Sequence, residues 1–399
     1  MQPPRARNAR ERTIDMEHFD AIVIGTGGMG AAALMHLAAR GARVCGLDRF
    51  PPGHDRGSSH GQTRLIRMAY FEHPDYVPLL RRAYELWHEL GDLSGRRLLV
   101  ESGLLMAGPP AGEVVAGALA SASIHSLPVE RLTSDQAMAR WPAFRLPEDW
   151  AAVHEARGGY LFVEECVKAC ASEAVRLGAR IDHGSAVRGW RTVGSAEHGG
   201  HVVVETESGS YAADRLVVTA GAWAADLLKL PSLPLHVLRK SLFWYRPEAS
   251  AHADSTARHL PCFAFDGPTG FFYGFPALDA RGVKIAEHTG GTPVTDPLHV
   301  DHGIDLHEQA KVEATLAAHL PGICGMQTDH TACLYTMSPD GHFVVGLHPH
   351  DNRVAIAAGF SGHGFKFASV MGEILADLTL DGKTNHPIGF LSPTRFGAC

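Results

Sequence analysis

Short apolar runs alternate with amphipathic stretches along most of the 399-residue chain. The run at residues 21–24 is followed by an alanine-rich stretch of helical length and then by a second apolar run at 44–47. This order of strand, helix and strand is typical of a βαβ unit, and its repetition predicts the α/β class. The same criteria predict helices at 76–90 and 166–177 and strands at 100–107, 180–187, 202–207, 216–219 and 353–358.

The stretch from 230 to 329 has a different pattern. It is richer in aromatic residues and proline, and its short runs at 240–245, 270–275 and 282–286 predict an antiparallel sheet with helices. The segment 353–380 then returns to a strand, a glycine-rich turn and a helix. We therefore expect a nucleotide-binding domain built from discontinuous segments, with a second domain inserted into it.

The expected domain boundaries follow from this change of pattern. The nucleotide-binding domain is predicted to comprise 16–97, 156–229 and 330–396, and the substrate domain 98–155 and 230–329. Residues 1–15 carry four arginines and few apolar residues, which predicts a short, disordered basic tail. No apolar segment follows these arginines, so the pattern is not that of a secretory signal.

Residues 25–30 read Gly-Thr-Gly-Gly-Met-Gly and lie between the first predicted strand and helix. In such a fingerprint Gly25 makes the tight turn, Gly27 lets the backbone approach a pyrophosphate, and Gly30 lets the helix pack on the strand. The helix N-terminus offers free N–H groups to the phosphates. Asp48 lies 23 residues after Gly25, where an acid can meet a ribose hydroxyl. The spacing predicts a dinucleotide site and leaves NAD and FAD both open.

Composition argues against several classes of function. The net charge of −7 gives no basis for nucleic-acid binding, and no apolar run reaches the ~18 residues of a membrane-spanning helix. The seven cysteines contain no C-x-x-C pair. Residues 348–351, His-Pro-His-Asp, are interpreted as a turn before a strand, so no metal site is predicted. These features favour a cytoplasmic protein in a reducing compartment.

Two polar segments outside the fingerprint carry candidate chemistry. The loop at 58–67 is too polar for a core and places His60, Arg64 and Arg67 beside the predicted cofactor site. An arginine fork binds two carboxylate oxygens at once, although the pattern alone fits an ordinary charged surface loop equally well. In the alternating run 283–288, Lys284 shares a face with His288, and alternation alone favours a solvent-facing lysine.

A cysteine and a glycine-rich turn stand near the end of the chain. Cys333 is central in a mostly apolar run, a pattern that by itself favours an inert buried thiol. Further along, Gly359, Gly362 and Gly364 belong to the turn Gly-Phe-Ser-Gly-His-Gly-Phe-Lys. Such a turn between a strand and a helix suits a backbone that lines a flat or anionic ligand, and Lys366 ends it.

These motifs resemble, in order and spacing, those of the monomeric sarcosine oxidase and N-methyl-tryptophan oxidase family of amine-oxidising flavoenzymes. The resemblance covers residues 18–396 and rests on HGQTRLIR, VKIAEH, ACLYT and AAGFSGHGFKFASVMGE. The segments 239–245 and 367–373 favour the N-methyl-tryptophan oxidase branch. The resemblance implies FAD, held by a Rossmann-type domain of discontinuous segments in a glutathione reductase or p-hydroxybenzoate hydroxylase-like fold, with an inserted antiparallel-sheet substrate domain.

The resemblance also implies how the cofactor is held. Cys333 matches the cysteine that links FAD covalently through its 8α-methyl group. Arg64 and Lys284 match basic residues near the reactive flavin nitrogen, where positive charge favours electron transfer to O2, and His60 matches a histidine beside the flavin. The backbone contacts to the isoalloxazine edge match the turn residues Gly359, Gly362, His363, Gly364, Phe365 and Lys366.

Other matching residues concern the substrate. Arg67 and Lys366 match the pair that holds its carboxylate, and His288, Tyr273 and Tyr335 match side chains that line its pocket. The family pattern is broken in the loop beside the substrate by Ser59, Gln62 and Met68, and by the turn Phe-Glu-His-Pro at 71–74. These departures leave the identity of the substrate open.

The expected function is therefore that of a monomeric FAD-dependent oxidase of N-methyl or other secondary α-amino acids. The C–N bond is oxidised to an imine, O2 is reduced to H2O2, and hydrolysis releases formaldehyde. Within the family, the alternative is an oxidase of cyclic or primary amino acids such as pipecolate or glycine. Outside it, the alternatives are an NAD-dependent dehydrogenase and a non-catalytic dinucleotide-binding module.

Overall fold

The computed structural model describes residues 16–194, 200–228, 230–247, 255–256, 259–323 and 325–397. The predicted basic tail at 1–15 lies outside the described residues. Within those ranges, no helix combines the length and the apolar character that a membrane crossing requires. The same ranges contain no group of three or more His, Cys, Asp or Glu side chains that could hold a metal ion.

The first sheet of the described chain carries the nucleotide fingerprint. Its strands are β1 (His18–Ile24), β2 (Val44–Asp48), β9 (Arg180–His183), β10 (Val187–Val193), β11 (His201–Thr206), β12 (Ser210–Val218), β19 (Val344–His348) and β20 (Asp351–Ala358). The central strand β1 pairs in parallel with β2 and β12, which continue in parallel to β9 and β20. β10, β11 and β19 add antiparallel strands. The carboxyl ends of the parallel strands therefore meet at one edge.

The second sheet supplies most of the far wall of the site. Its strands are β5 (Leu104–Gly108), β6 (Val129–Thr133), β7 (Ala151–Glu155), β13 (His236–Arg246), β14 (Cys262–Gly267), β15 (Gly270–Phe275), β16 (Val283–Glu287), β17 (Thr292–Val294) and β18 (Met326–Met337). Its pairs in the described chain run antiparallel apart from β5 and β14. β18 begins before residue 330 and pairs along β13, so this sheet extends across the predicted domain boundary.

Helices and a small third sheet complete the described fold. The third sheet contains β3 (Thr63–Ile66), β4 (Leu99–Val100) and β8 (Gly159–Phe162). The helices are α1 (Gly28–Ala39), α2 (Val77–Ser94), α3 (Glu113–His125), α4 (Ser134–Arg140), α5 (Val163–Arg176), α6 (Ala224–Leu228), α7 (Leu306–His319) and α8 (Ala368–Asp381). α1 packs against α5 and α8. A Cβ atom at Gly372 of α8 would lie 2.6 Å from the backbone of Ala32, so this glycine permits close helix packing.

The structure confirms the predicted α/β class. It also confirms the predicted combination of a mostly parallel sheet with a second, mostly antiparallel sheet. Two predicted strands are wrong as continuous elements. The run at 100–107 is divided into β4 and β5 by Gly103, and the run at 180–187 is divided into β9 and β10 by Gly184. Both glycines have positive φ angles, 82° and 89°, which interrupt an extended backbone.

Candidate active site

A cavity of about 530 Å³ runs along the carboxyl edge of the first sheet and reaches the second sheet. β1, β2, β12 and β20 all end at this edge, and the turns that follow them line the cavity. Side chains from β15 and β18 form the opposite wall. The cavity therefore lies where a doubly wound sheet binds ligands, beside the ends of its parallel strands.

The fingerprint glycines fit tightly at one end of this cavity. Gly25 has a φ angle of 86°, and a Cβ atom there would lie 2.5 Å from the carbonyl oxygen of Thr219. A Cβ atom at Gly30 would lie 1.7 Å from the Gly25 carbonyl oxygen, so only glycine lets α1 pack on this turn. Gly27 is the N-cap residue of α1 and has no side-chain cap. The backbone N–H of Gly28 donates to the hydroxyl of Ser59 at 3.3 Å, and the N-terminus of α1 faces the cavity, where it can bind an anionic group.

Asp48 closes the fingerprint from the end of β2. Its carboxylate accepts hydrogen bonds from the backbone N–H of Thr26 at 2.6 Å and from the Thr26 hydroxyl at 3.2 Å. A third bond comes from the backbone N–H of Phe50 at 2.9 Å. The acid thus fixes the turn between β1 and α1 while it lines the cavity.

The glycine-rich turn at 359–366 lies against the fingerprint. A Cβ atom at Gly28 would lie 3.0 Å from the ring of Phe365, so the two distant segments share one wall. Gly362 has a φ angle of 82°, and a Cβ atom there would lie 2.2 Å from the Tyr335 ring. The turn therefore brings backbone rather than side chains to the cavity at this point.

Cys333 is a buried thiol with a cationic neighbour. Its Sγ atom lies 3.0 Å from Nη2 of Arg64, and Arg64 also donates to the carbonyl oxygens of Ser58 and Thr63. Burial raises the pKa of this thiol, but Arg64 first, and then His60 and Lys284, bring the pKa down to about 6. These neighbours therefore favour the thiolate of Cys333, the form in which a cysteine is nucleophilic.

Lys284 is buried, so the prediction from alternation alone, that this lysine faces solvent, is wrong. The reason is that β16 lies between β13 and β15 in the interior of its sheet. The Nζ atom donates to the carbonyl oxygens of Gly61 at 2.6 Å and Thr63 at 2.9 Å. Burial, followed by the charge of Arg64, lowers the pKa of Lys284. This lysine ties the second sheet to the loop that carries His60 and Arg64.

Arg67 is held by a carboxylate that sequence reasoning did not identify as its partner. Nη2 of Arg67 donates to both oxygens of Glu72, at 2.6 and 2.7 Å. Burial raises the pKa of Glu72, but Arg67, and then His363 and Lys366, lower that pKa to about 2. The only signal in the sequence was an acid five residues after the arginine. Glu72 therefore occupies Nη2 of Arg67, whereas Nε of the same guanidinium has no partner.

Lys366 and Arg67 converge on the ring of Tyr70. The Nζ atom of Lys366 lies 5.1 Å and the Cζ atom of Arg67 4.7 Å from its centroid. Nζ of Lys366 donates to the carbonyl oxygen of His363 at 2.6 Å. Burial, followed by the charge of Arg67, lowers the pKa of Lys366. The two cations thus form one buried basic centre that lines the cavity.

His363 is a neutral histidine with a defined tautomer. Its Nε2 atom lies 3.0 Å from the carbonyl oxygen of Gly341, which can only accept a hydrogen bond, so Nε2 carries the proton. Nδ1 then accepts from the Tyr70 hydroxyl at 2.5 Å. Burial lowers the pKa of His363 to about 4. The hydrogen bond between Tyr70 and His363 therefore holds His363 in place, and the backbone carbonyl oxygen of His363 accepts the hydrogen bond from Lys366.

Tyr273, Tyr335 and His288 form the polar part of the opposite wall. The two tyrosine hydroxyls lie 3.4 Å apart, and the Tyr335 hydroxyl lies 3.5 Å from Nδ1 of His288. Burial, and then the charge of His363, lower the pKa of His288 to about 3. His288 is therefore neutral, and this wall adds hydrogen-bonding groups without adding charge.

The structure brings the sequence-predicted residues together at this one cavity. Those that line it are Gly25, Gly27, Asp48, Arg64, Arg67, Tyr273, His288, Tyr335, Gly359, Gly362, His363, Gly364, Phe365 and Lys366. Four others lie behind the lining: Gly30 in the first turn of α1, and His60, Lys284 and Cys333 near Arg64. Sequence reasoning missed Glu72 and Thr336, both of which line the cavity.

Buried polar atoms without partners indicate that the cavity is built for a polar ligand. Among the described residues that line the cavity, such atoms are Oγ1 of Thr336 and Nε of Arg67. Leaving such groups unpaired costs ~1–3 kcal/mol each. The fingerprint supplies phosphate-binding N–H groups and the distant turn supplies a flat backbone edge. This donor set fits FAD, which carries a pyrophosphate and a planar ring bearing hydrogen-bonding groups.

Comparison with known proteins decides the family. The model of the DAO family, described as FAD dependent oxidoreductase, matches residues 20–378. The chain belongs to this family. Its cofactor is therefore FAD, and the alternatives of an NAD-dependent dehydrogenase and a non-catalytic module are not supported.

Relatives of known activity are similar along nearly their whole length. Monomeric sarcosine oxidase of Streptomyces avermitilis is 39% identical over 384 residues, covering 95% of this chain and 98% of the relative. Monomeric sarcosine oxidase of Bacillus sp. strain B-0618 is 38% identical, covering 95% and 96%. N-methyl-L-tryptophan oxidase of Yersinia pestis strain Pestoides F is 36% identical, covering 95% and 99%. The family resemblance inferred from the motifs is confirmed.

Solved structures agree with the fold. NikD, an unusual amino acid oxidase essential for nikkomycin biosynthesis, superposes with a TM-score of 0.81 at 25% identity, covering 94% of this chain and 98% of its own. Glycine oxidase from Geobacillus kaustophilus superposes with a TM-score of 0.79 at 22% identity, covering 95% and 99%. The second likeness bears on the fold alone.

Proposed function

We propose that this protein oxidises N-methyl or other open-chain secondary α-amino acids, as a monomer, with O2 as the electron acceptor. For an N-methyl substrate, the amino acid, O2 and water give the primary amino acid, formaldehyde and H2O2. FAD, when bound, takes a hydride equivalent from the carbon next to the substrate nitrogen and passes two electrons to O2. The names and coverage of the relatives support the reaction class.

The observation that carries the proposal is the buried basic centre of Arg67 and Lys366. A carboxylate that enters the cavity meets Lys366 and the unpartnered Nε of Arg67. Both groups are shielded from water, where charge-assisted hydrogen bonds are strong. Docking there would fix the carboxylate end of the substrate in the cavity. Since the α-nitrogen is only two bonds from the carboxyl carbon, this also restricts the position of the reacting carbon. The neutral wall of Tyr273, Tyr335 and His288 leaves room for an uncharged amine, the form that must react.

We assign Arg64 and Lys284 to the oxidative half of the reaction. Both are buried beside Cys333, and their positive charge would stabilise negative charge that develops on O2 in a medium of low dielectric. No side chain of the described site is assigned as a general base, because Nδ1 of His363 already accepts from the Tyr70 hydroxyl and burial lowers the pKa of His288 to about 3.

We further propose that FAD is attached covalently through Cys333. The support is chemical: the thiol is buried, its pKa is lowered to about 6, and Arg64 contacts its sulfur. A thiolate held in this way is a nucleophile that would bond to the 8α carbon of FAD. The C–H bond broken there would release a proton, and its electron pair would pass to the flavin ring and then to O2. His60, whose Nε2 atom has no partner, would hydrogen-bond to the flavin nearby.

The experiment that tests the function is a substrate panel measured for two products at once. Sarcosine, other N-methyl-L-amino acids, pipecolate, proline and glycine are supplied to the purified flavoprotein in air. The proposal expects H2O2 and formaldehyde in equal amounts from the N-methyl compounds. Peroxide from pipecolate or glycine, with none from N-methyl substrates, would instead support the cyclic or primary amino acid alternative.

A further inference from the structure

Two phenylalanine rings meet beside the basic centre. Phe71 follows Tyr70 in the loop after β3, and Phe271 lies in β15, so the two rings come from separate parts of the chain. Their centroids lie 5.4 Å apart with an interplanar angle of 83°. This edge-to-face arrangement is favourable for aromatic rings. Both side chains are half-buried, and Phe271 lines the cavity.

The ring pair connects the basic centre to the neutral wall. The guanidinium of Arg67 lies 4.5 Å from the centroid of Phe71. On the other side, Phe271 makes an edge contact with the ring of His288 at 5.5 Å, and its carbonyl oxygen accepts the His288 backbone N–H at 2.7 Å. The two rings therefore lie between the guanidinium of Arg67 and the ring of His288.

The backbone of Phe71 is packed against α3. A Cβ atom at Gly117 of α3 would lie 2.7 Å from the Phe71 carbonyl oxygen, so helix and loop are in close contact there. The hydroxyl of Ser121, one turn further along α3, donates to the carbonyl oxygen of Tyr70 at 2.6 Å. The loop backbone is thus fixed, and the Phe71 ring packs against the ring of Phe271, which lines the cavity.

We propose that Phe271 contacts the α-substituent of the substrate and that Phe71 is a positioning residue that acts through it. This assignment rests on the proposed function, because it takes the carboxylate to dock on Arg67. An apolar α-substituent gains contact with the Phe271 ring, whereas a charged one would lose its hydration there. The pair therefore selects for apolar α-substituents over hydrogen and over charged groups.

The test compares ligand binding in Phe271→Ala, Phe71→Ala and the double variant of the flavin-loaded enzyme. Affinities for 4-methylpentanoate and acetate are measured from the flavin difference spectrum, which needs no turnover. The preference for 4-methylpentanoate over acetate is expressed as the ratio of their Kd values. Phe271→Ala is expected to reduce this preference by about tenfold. Phe71→Ala should show a smaller loss, Phe71→Tyr should retain the preference, and the double variant should match Phe271→Ala.

Phe162→Ala is the matched control. Phe162 is also half-buried and makes an edge contact of 5.4 Å with Tyr160, but it does not line the cavity, so the ratio should not change. An unchanged ratio in Phe271→Ala would overturn the proposal, and additive losses in the double variant would contradict the positioning role of Phe71. Since binding is measured, these results stay distinct from a failure of N-methyl substrates to release peroxide.

Discussion

At the scale of single residues, the cysteines show how neighbours decide reactivity. Burial raises the pKa of Cys45, Cys170 and Cys262 to about 12, whereas Cys333, equally buried, has a pKa lowered to about 6. The difference is Arg64, whose guanidinium contacts the Cys333 sulfur. The sequence pattern around Cys333 could not reveal this, because Arg64 is 269 positions away in the chain.

Arg64→Met is expected to slow covalent flavin attachment at neutral pH. In the wild type the thiolate fraction of Cys333 rises as pH increases through about 6, so attachment to apoprotein should reach its plateau above that pH. Without the arginine, burial dominates and the rise should move to alkaline pH. Flavin fluorescence in a denaturing gel measures attachment, and Cys333→Ala should show none. Identical pH profiles for wild type and Arg64→Met would contradict this account.

Lys284→Met is expected to impair one half-reaction selectively. The charge of Lys284 is assigned to electron transfer to O2, while substrate docking is assigned to Arg67 and Lys366. Stopped-flow measurements should therefore show reoxidation by O2 slowed by ~100-fold, the order of a lost preorganised charge. Anaerobic reduction of the flavin by substrate should change far less. Equal losses in both half-reactions would contradict the role.

Glu72→Gln is expected to strengthen carboxylate binding and to lower the stability of the protein. Removing the carboxylate that occupies Arg67 should strengthen binding of a simple carboxylate several-fold, measured from the flavin difference spectrum. It also leaves a buried arginine unpaired, which costs about 3 kcal/mol of unfolding free energy. Because the folded pKa of Glu72 is lowered to about 2 from 4.5, its contribution is complete above pH 4.5. The stability difference should shrink as pH falls from 4.5 towards 2, and a difference independent of pH would be inconsistent.

At the scale of elements, the glycine-rich turn before α8 carries a steric demand that a single sequence indicates only in part. The glycines suggested a backbone that lines a ligand. They could not show that Gly362 faces the ring of Tyr335, which belongs to β18. Strands, helices and the fingerprint turn were predictable because their hydrophobic periodicity is local. The strand breaks at Gly103 and Gly184 could not be predicted, because a glycine in an apolar run is compatible with both a strand and a turn.

Gly362→Ala is expected to destabilise the protein more than Gly382→Ala. Both glycines have positive φ angles, 82° and 70°, and each alanine meets ~1–2 kcal/mol of backbone strain. Only at Gly362 does the new Cβ atom also lie 2.2 Å from the Tyr335 ring, whereas nothing lies within 4 Å at Gly382. Thermal unfolding and flavin content should both fall further for Gly362→Ala. Equal effects would show that the steric contact is unimportant.

At the scale of the whole molecule, the cavity is assembled from segments far apart in the chain. The fingerprint near residue 25, the loop at 58–72, β15 to β18 and the turn at 359–366 meet only because β1 is central in one sheet and β13 and β18 pair in the other. The resemblance to a family of flavoenzymes predicted which residues gather there. It could not predict the ion pair of Arg67 with Glu72 or the Phe71 and Phe271 contact, since both fall where the family pattern is broken.

The most direct test of the central claim is anaerobic mixing of the purified flavoprotein with an N-methyl-L-amino acid. The visible flavin absorption should bleach, one formaldehyde should be released per flavin, and the absorption should return on admission of O2 with one H2O2 formed. This result requires carboxylate docking, oxidation of the C–N bond and reaction with O2 in one molecule. A flavin that stays oxidised with every N-methyl-L-amino acid, or that bleaches without formaldehyde, would contradict the account.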